Sequence, residues 1–218
     1  MELPKIQYVT HPNEDYSNLS WIDALKNGGV NWIQLRIKEE DLSKHHPDLH
    51  YKHTFLEIAD LVREKTKELG MILTINDHPE IARFCTAEGL HFGQTDNIES
   101  EDLTGFNVVG GTANNFSEVR NLPLNNLNYL GVGPFSKTDT KSTIKEVLGT
   151  EGYRSLIEEM RLEGISLPVY AIGGIKVNDI GSLIENGVYG IAVSGLFHHA
   201  QFDEDIIKSC SKYFNNGK

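Results

Sequence analysis

Residues 71–96, MILTINDHPEIARFCTAEGLHFGQTD, spell out a strand, a helix and a second strand. The apolar run 71–75 ends in Asn76-Asp77, an amphipathic stretch covers 79–86, and the short run 89–92 ends in Gly93-Gln94-Thr95-Asp96. If the two runs are neighbouring parallel strands, Asp77 and Asp96 meet at one rim of a sheet or barrel. Open α/β sheets and βα-barrels place their chemistry at the carboxyl ends of strands, so two convergent acids there suggest a divalent metal and a phosphorylated substrate.

The same alternation runs along the rest of the chain. Further strands are expected at 6–10, 31–36, 107–111, 127–132, 168–172 and 188–193, which with 71–75 and 89–92 makes eight. Helical periodicity falls near 19–27, 52–69, 115–120, 151–163, 178–186 and 202–214 as well as 79–86, with a short stretch near 99–104. Gly28-Gly29, Gly70, Gly89, Gly164 and Gly187 read as helix stops ahead of the next strand. Eight βα units in 218 residues predict an α/β fold, a single (β/α)8 TIM barrel spanning 1–218, with a doubly wound open sheet as the alternative. The long connections 37–50 and 133–150 both follow strand ends, where long loops usually bind ligands.

A formal net charge of −11 argues against nucleic acid or an anionic membrane as partner. No run approaches the roughly 20 apolar residues a bilayer needs, and the mixed polar N-terminus does not resemble a signal peptide, so a cytoplasmic protein is expected. Cys85 and Cys210 lie far apart without metal-ligand spacing and are expected to be ordinary buried residues. The partners expected are small phosphorylated molecules; the oligomeric state stays open, a homo-oligomer included.

The strand ends carry the chemistry. In Gln34-Leu35-Arg36-Ile37-Lys38, period-2 alternation sends Gln34, Arg36 and Lys38 to one side, where they make a pyrophosphate clamp or else a solvated polar strand end. Asp77 and Asp96 are candidate Mg²⁺ ligands, since magnesium takes one or two carboxylates and fills its octahedron with phosphates and waters. Either acid is otherwise a helix N-cap. His91 is left unassigned. The loop Gly131-Val132-Gly133-Pro134-Phe135-Ser136-Lys137-Thr138-Asp139-Thr140-Lys141 combines hydroxyls with two lysines and could close over a phosphate. Ala171-Ile172-Gly173-Gly174-Ile175 and Val193-Ser194-Gly195 match the barrel phosphate site built from the loops after the last two strands.

Taken in order, these motifs resemble the thiamine phosphate synthase family over nearly the whole chain, from Tyr8-Val9-Thr10 to Val193-Ser194. The resemblance implies a (β/α)8 barrel that joins 4-amino-2-methyl-5-hydroxymethylpyrimidine diphosphate to a thiazole phosphate, carboxylated or not, releasing pyrophosphate. It implies that Gln34, Leu35, Arg36, Ile37, Lys38, Asn76, Thr112 and Lys141 hold the pyrimidine diphosphate. Asp77 and Asp96 would bind Mg²⁺, and Thr138, Asp139, Thr140, Gly174, Val193 and Ser194 the thiazole phosphate. Arg36, Lys38 and Lys141 would stabilise the leaving group.

The chain departs from that family at several points. Thr112 stands where a serine is usual, Ser136-Lys137 replaces Phe-Pro, and His11 replaces an acid. The segment with His45, His46, His50 and His53 differs most and reads as a solvated insertion rather than a metal site. Two rival readings are a thiazole tautomerase, whose catalytic histidine near the fifth strand end has no counterpart in Thr112-Ala113-Asn114-Asn115, and a non-catalytic thiazole-phosphate-binding barrel. The second would not need the paired acids.

Overall fold

The computed structural model describes residues 2–45, 50–94, 96–137 and 146–215. Among them, eight parallel strands follow chain order: β1 (Ile6–Val9), β2 (Trp32–Leu35), β3 (Ile72–Asn76), β4 (Gly89–Phe92), β5 (Val108–Ala113), β6 (Tyr129–Val132), β7 (Val169–Ile172) and β8 (Gly190–Val193). Tyr8 on β1 lies opposite Ile33 of β2 on one side and Val193 of β8 on the other, so the sheet closes into a barrel. The open-sheet alternative is thereby excluded.

Around it run α1 (Ser20–Asn27), α2 (Glu39–His45), α3 (Tyr51–Glu68), α4 (Pro79–Phe84), α5 (Phe116–Arg120), α6 (Gly149–Leu162), α7 (Ile180–Glu185), α8 (Gly195–His198) and α9 (Glu204–Asn215). On α3 the buried residues Thr54, Phe55, Ile58, Ala59, Val62 and Thr66 recur every three or four positions and form the stripe that packs on the barrel. Pro79 opens α4, where its missing N–H costs nothing, and the Asn115 side chain caps α5 by accepting from Glu118 N at 2.9 Å. No helix among the described residues is long and apolar enough to cross a membrane.

Two packed zones hold the fold. Leu35, Leu73, Ile75 and Leu90 point outward and meet the helices in the main core. Inside, Trp32, Tyr129 and Tyr170 meet edge-on, with ring centroids 4.7 Å apart for Trp32–Tyr129 and 5.2 Å for Trp32–Tyr170. β2 and β6 are not neighbours, so these rings can touch only across the barrel interior. Glycines opposite them make the room: a Cβ on Gly110 would lie 2.1 Å from the Tyr129 ring.

Several expectations need correcting. The connection 37–50 contains α2, whose Glu39, Glu40 and Asp41 complement the helix N-terminus but offer no long apolar period. The single turn α8 is too short to show periodicity at all. Near 99–104 there is only a 3₁₀ turn, Ile98–Ser100. Gly89 is not a helix stop: it belongs to β4, and Thr86, at φ 52°, is the left-handed residue ending α4. Gly89 is required for a different reason, since a Cβ there would lie 1.8 Å from the Val108 carbonyl oxygen.

That clash is with backbone, which cannot swing aside. Gly89→Ala is expected to cost about 3 kcal/mol by overpacking, lowering the melting temperature by roughly 6–12 °C in calorimetry for a chain of this size. An unchanged melting temperature would contradict the close β4–β5 approach.

Candidate active site

Above the aromatic rings the barrel interior turns polar. Trp32 Nε1 donates to Thr74 Oγ1 at 3.2 Å, and Gln34 Nε2 donates to Asn76 Oδ1 at 2.8 Å, with all four residues buried. His91 sits between two hydroxyls, Nδ1 2.8 Å from Tyr129 Oη and Nε2 2.8 Å from Thr112 Oγ1. The unassigned histidine and the candidate Thr112 therefore belong to one hydrogen-bonded layer.

The two acids do converge at the rim. Asp77 N continues the ladder by donating to His91 O at 2.9 Å, and the residue then takes φ +63°, a left-handed conformation that Asp tolerates better than most. This bend turns the side chain toward Gly93, whose N–H donates to Asp77 Oδ1 at 3.1 Å and to Asp96 Oδ2 at 2.6 Å. Lys38 Nζ lies 2.5 Å from Asp77 Oδ2.

Burial works to raise the Asp77 carboxyl, but hydrogen bonds with Asp96, Lys38 and Gly93 outweigh it and hold it below the usual range. Asp96 is driven the other way: burial, then the hydrogen bond and negative charge of Asp77, push it up to about 6. One lysine against two close carboxylates leaves a deficit of positive charge. That donor set fits a divalent cation whose remaining ligands come from phosphate and water. No cluster of three or more His, Cys, Asp or Glu with metal-binding geometry exists among the described residues.

Arg36 is fixed through its main chain: Thr10 Oγ1 accepts from Arg36 N at 2.8 Å and donates to Arg36 O at 3.0 Å. It lines a cavity of about 510 Å³ together with His11, Tyr16, Asp41 and Thr54. Leu35 and Ile37 bury their side chains in the outer core, and Ile37 also lines this cavity.

Across the same rim, Gly173 and Gly174 take φ +93° and +67°. Ser136 N donates to Gly173 O at 3.0 Å and Ser136 Oγ to Gly174 O at 2.7 Å, and a Cβ on Gly174 would lie 2.2 Å from Ser136 Oγ. The replacement of Phe-Pro by Ser136-Lys137 thus ties two candidate phosphate loops together. Val193 is buried at the end of β8, and Ser194 Oγ is buried without a hydrogen-bond partner among the described residues. Thr138, Asp139, Thr140 and Lys141 lie outside the described residues, as do Thr95 and His46.

Sequence reasoning missed a second imidazole group. His11 stacks on His198 at 3.9 Å and lies 5.1 Å from His199, with its Nδ1 accepting from Asn13 N at 3.2 Å. Burial, then His198 and His199, pushes the His11 imidazole down to about 4. No spacing signal could pair residues 11 and 198; closure of β1 on β8 does it. Of the divergent histidine segment, His50 is exposed and His53 pairs with Glu57 on the surface at 3.3 Å.

The description "Thiamine monophosphate synthase" belongs to a family model that matches residues 6–196. A thiamine-phosphate synthase of Flavobacterium psychrophilum is 35% identical over 211 residues, covering 95% of this chain and 98% of its own. One of Bacteroides fragilis is 38% identical over 193 residues, covering 87% and 90%. The solved thiamine phosphate pyrophosphorylase of Pyrococcus furiosus superposes with a TM-score of 0.77 at 22% identity, covering 97% of this chain and 96% of that one, a likeness of fold.

Like charge in the acid pair has a measurable cost. With the folded-state value of Asp96 at about 6, above its ordinary 3.8, the folded protein binds the extra proton in between, so this carboxyl's contribution falls as pH rises through that window. In chelator, Asp96→Asn should therefore be more stable than wild type by about 1 kcal/mol above pH ~6, after discounting for solvent screening. Below pH ~4 the gain should vanish. Urea melts at both pH values check the sign.

Proposed function

The chain belongs to the thiamine monophosphate synthase family, and we propose that it joins 4-amino-2-methyl-5-hydroxymethylpyrimidine diphosphate to a thiazole phosphate, giving thiamine monophosphate and pyrophosphate. It is an enzyme, a transferase. The observation that carries the detailed reading is the meeting of Asp77, Asp96, Lys38 and Gly93 N–H at the ends of β3 and β4, an acid pair short of positive charge beside cations.

In this reading Asp77 and Asp96 hold Mg²⁺, which when bound supplies positive charge to the diphosphate. Gln34, Leu35, Arg36, Ile37, Lys38, Asn76, Thr112 and Lys141 hold the pyrimidine diphosphate. Thr138, Asp139, Thr140, Gly174, Val193 and Ser194 hold the thiazole phosphate; the unpartnered Ser194 hydroxyl supports that assignment.

The chemistry asked of the side chains is electrostatic. As the bond from the pyrimidine methylene carbon to the diphosphate oxygen breaks, its electron pair leaves with pyrophosphate, and Arg36, Lys38 and Lys141 stabilise the growing negative charge. The thiazole nitrogen then forms the new bond with its own lone pair, so no general base is required. What the barrel adds is orientation of the nitrogen toward that carbon. The tautomerase alternative is not favoured: His91 reaches the end of β5, but both ring nitrogens already face the hydroxyls of Tyr129 and Thr112. We place the reaction in the cytoplasm, among small phosphorylated substrates, with neither nucleic acid nor membrane as partner.

Incubation of the purified protein with both substrates and magnesium should release thiamine monophosphate and pyrophosphate in equal amounts; no product would reject the reading. Asp96→Ala should lower turnover by roughly 10²-fold or more, comparable to loss of one preorganised electrostatic group.

Substrate titrations provide an independent check on the two sites. Arg36→Ala should weaken the pyrimidine diphosphate and spare the thiazole phosphate, while Ser194→Ala should do the reverse.

A further inference from the structure

Tyr51, the first residue of α3, joins two segments that the proposed reaction needs. Its hydroxyl lies 2.8 Å from the Ile37 carbonyl oxygen and 2.9 Å from His78 Nε2. Ile37 stands between Arg36 and Lys38. His78 follows Asp77, and its own carbonyl accepts from Ile81 N and Ala82 N, each at 3.1 Å, to start α4.

Proton counting fixes the direction of the chain. A carbonyl oxygen can only accept, so the single phenolic proton goes to Ile37. His78 Nε2 must then carry a proton and donate to the Tyr51 oxygen. Burial, followed by the charges of Asp77, Glu39 and Glu80, pushes the Tyr51 phenol up to about 12, so the donor keeps its proton under working conditions. Ring contacts hold the imidazole from the side, with Tyr51–His78 centroids 5.7 Å apart and Phe55–His78 centroids 5.4 Å apart.

We infer that Tyr51 is a positioning residue, holding the segment that carries Arg36 and Lys38 in register with the Asp77–His78 corner. The inference rests on the proposed use of those residues for a diphosphate. Thr10 clamps Arg36 on both its N–H and its carbonyl from the β1 side, and Tyr51 clamps the next carbonyl from the α3 side. Asp77 has an unfavourable backbone bend to maintain, and the residue immediately after it is the one Tyr51 anchors. Lys38 and Asp77 meet at 2.5 Å across the gap that this bridge spans. A simple brace for the start of α3 would lack any such preference for one substrate.

The test is Tyr51→Phe, which keeps the ring and removes both hydrogen bonds. Calorimetric binding of inorganic pyrophosphate in the presence of Mg²⁺ should weaken about tenfold as the cations lose their preset position. KM for the thiazole phosphate should stay within about twofold of wild type. In a Lys38→Ala background the same substitution should weaken pyrophosphate clearly less than tenfold, because one of the two cations on the segment it positions is gone. Undiminished pyrophosphate binding by Tyr51→Phe, equal losses for both substrates, or the same tenfold loss in both backgrounds would overturn the inference while leaving the functional reading intact. Wild-type protein that fails to bind pyrophosphate would overturn both. If Tyr51→Phe does not fold, His78→Leu removes the donor from the other end of the chain and is read by the same comparison.

Discussion

Closure of the barrel depends on filling its interior, and three aromatic rings do that here. Trp32, Tyr129 and Tyr170 come from strands that are not all adjacent, so their edge-on contacts tie opposite walls together, and each brings a polar edge that must be satisfied. Tyr170 sends its hydroxyl down to Pro4 O, whereas the Trp32 indole N–H donates to Thr74 and the Tyr129 hydroxyl meets Gln7 and His91. The apolar plug therefore ends in a polar layer, and that layer is the floor of the candidate site. Filling the barrel and orienting the floor are one requirement rather than two.

The electrostatics at the mouth follow from strand pairing. Asp77 and Asp96 each extend past a strand end, and adjacent parallel strands with matched ends leave their following residues close together. Repulsion between the acids is contained by a shared backbone donor, Gly93, and by Lys38, which also places an expected diphosphate cation against an expected metal ligand. The acids are thus held partly paired, and in the proposed reaction a metal and a diphosphate would complete that pairing.

Much of this was legible in the sequence because it is periodic or local. The eight strand positions followed from apolar runs between helical patterns, and Asp77 and Asp96 were visible because each lies just past the end of such a run. Gln34, Arg36 and Lys38 share a face through simple alternation. What escaped was short or non-local. α2 lacks an apolar stripe, α8 is a single turn, and Thr86 replaces the glycine expected to end α4. Gly89 was noticed but given the wrong role, since a steric demand from Val108 leaves no local mark. The His11–His198 stack and the Tyr51 bridge join residues that become neighbours only in the folded barrel.

The Ser136 connection also has a companion on the other foot of its loop. Leu148 N donates to Pro134 O and Gly149 N to Phe135 O, both at 3.0 Å, so the chain leaves and re-enters the barrel through a hydrogen-bonded gate. Segments anchored this way behave as cassettes. Doubling the length of a flexible loop between fixed ends costs only about 0.6 kcal/mol in closure entropy, and strain from the insertion stops at the paired feet. The chain between them can therefore diverge in length and composition while β6 and β7 stay in register, which gives evolution, or an engineer, a place to vary sequence beside the barrel mouth without rebuilding the barrel.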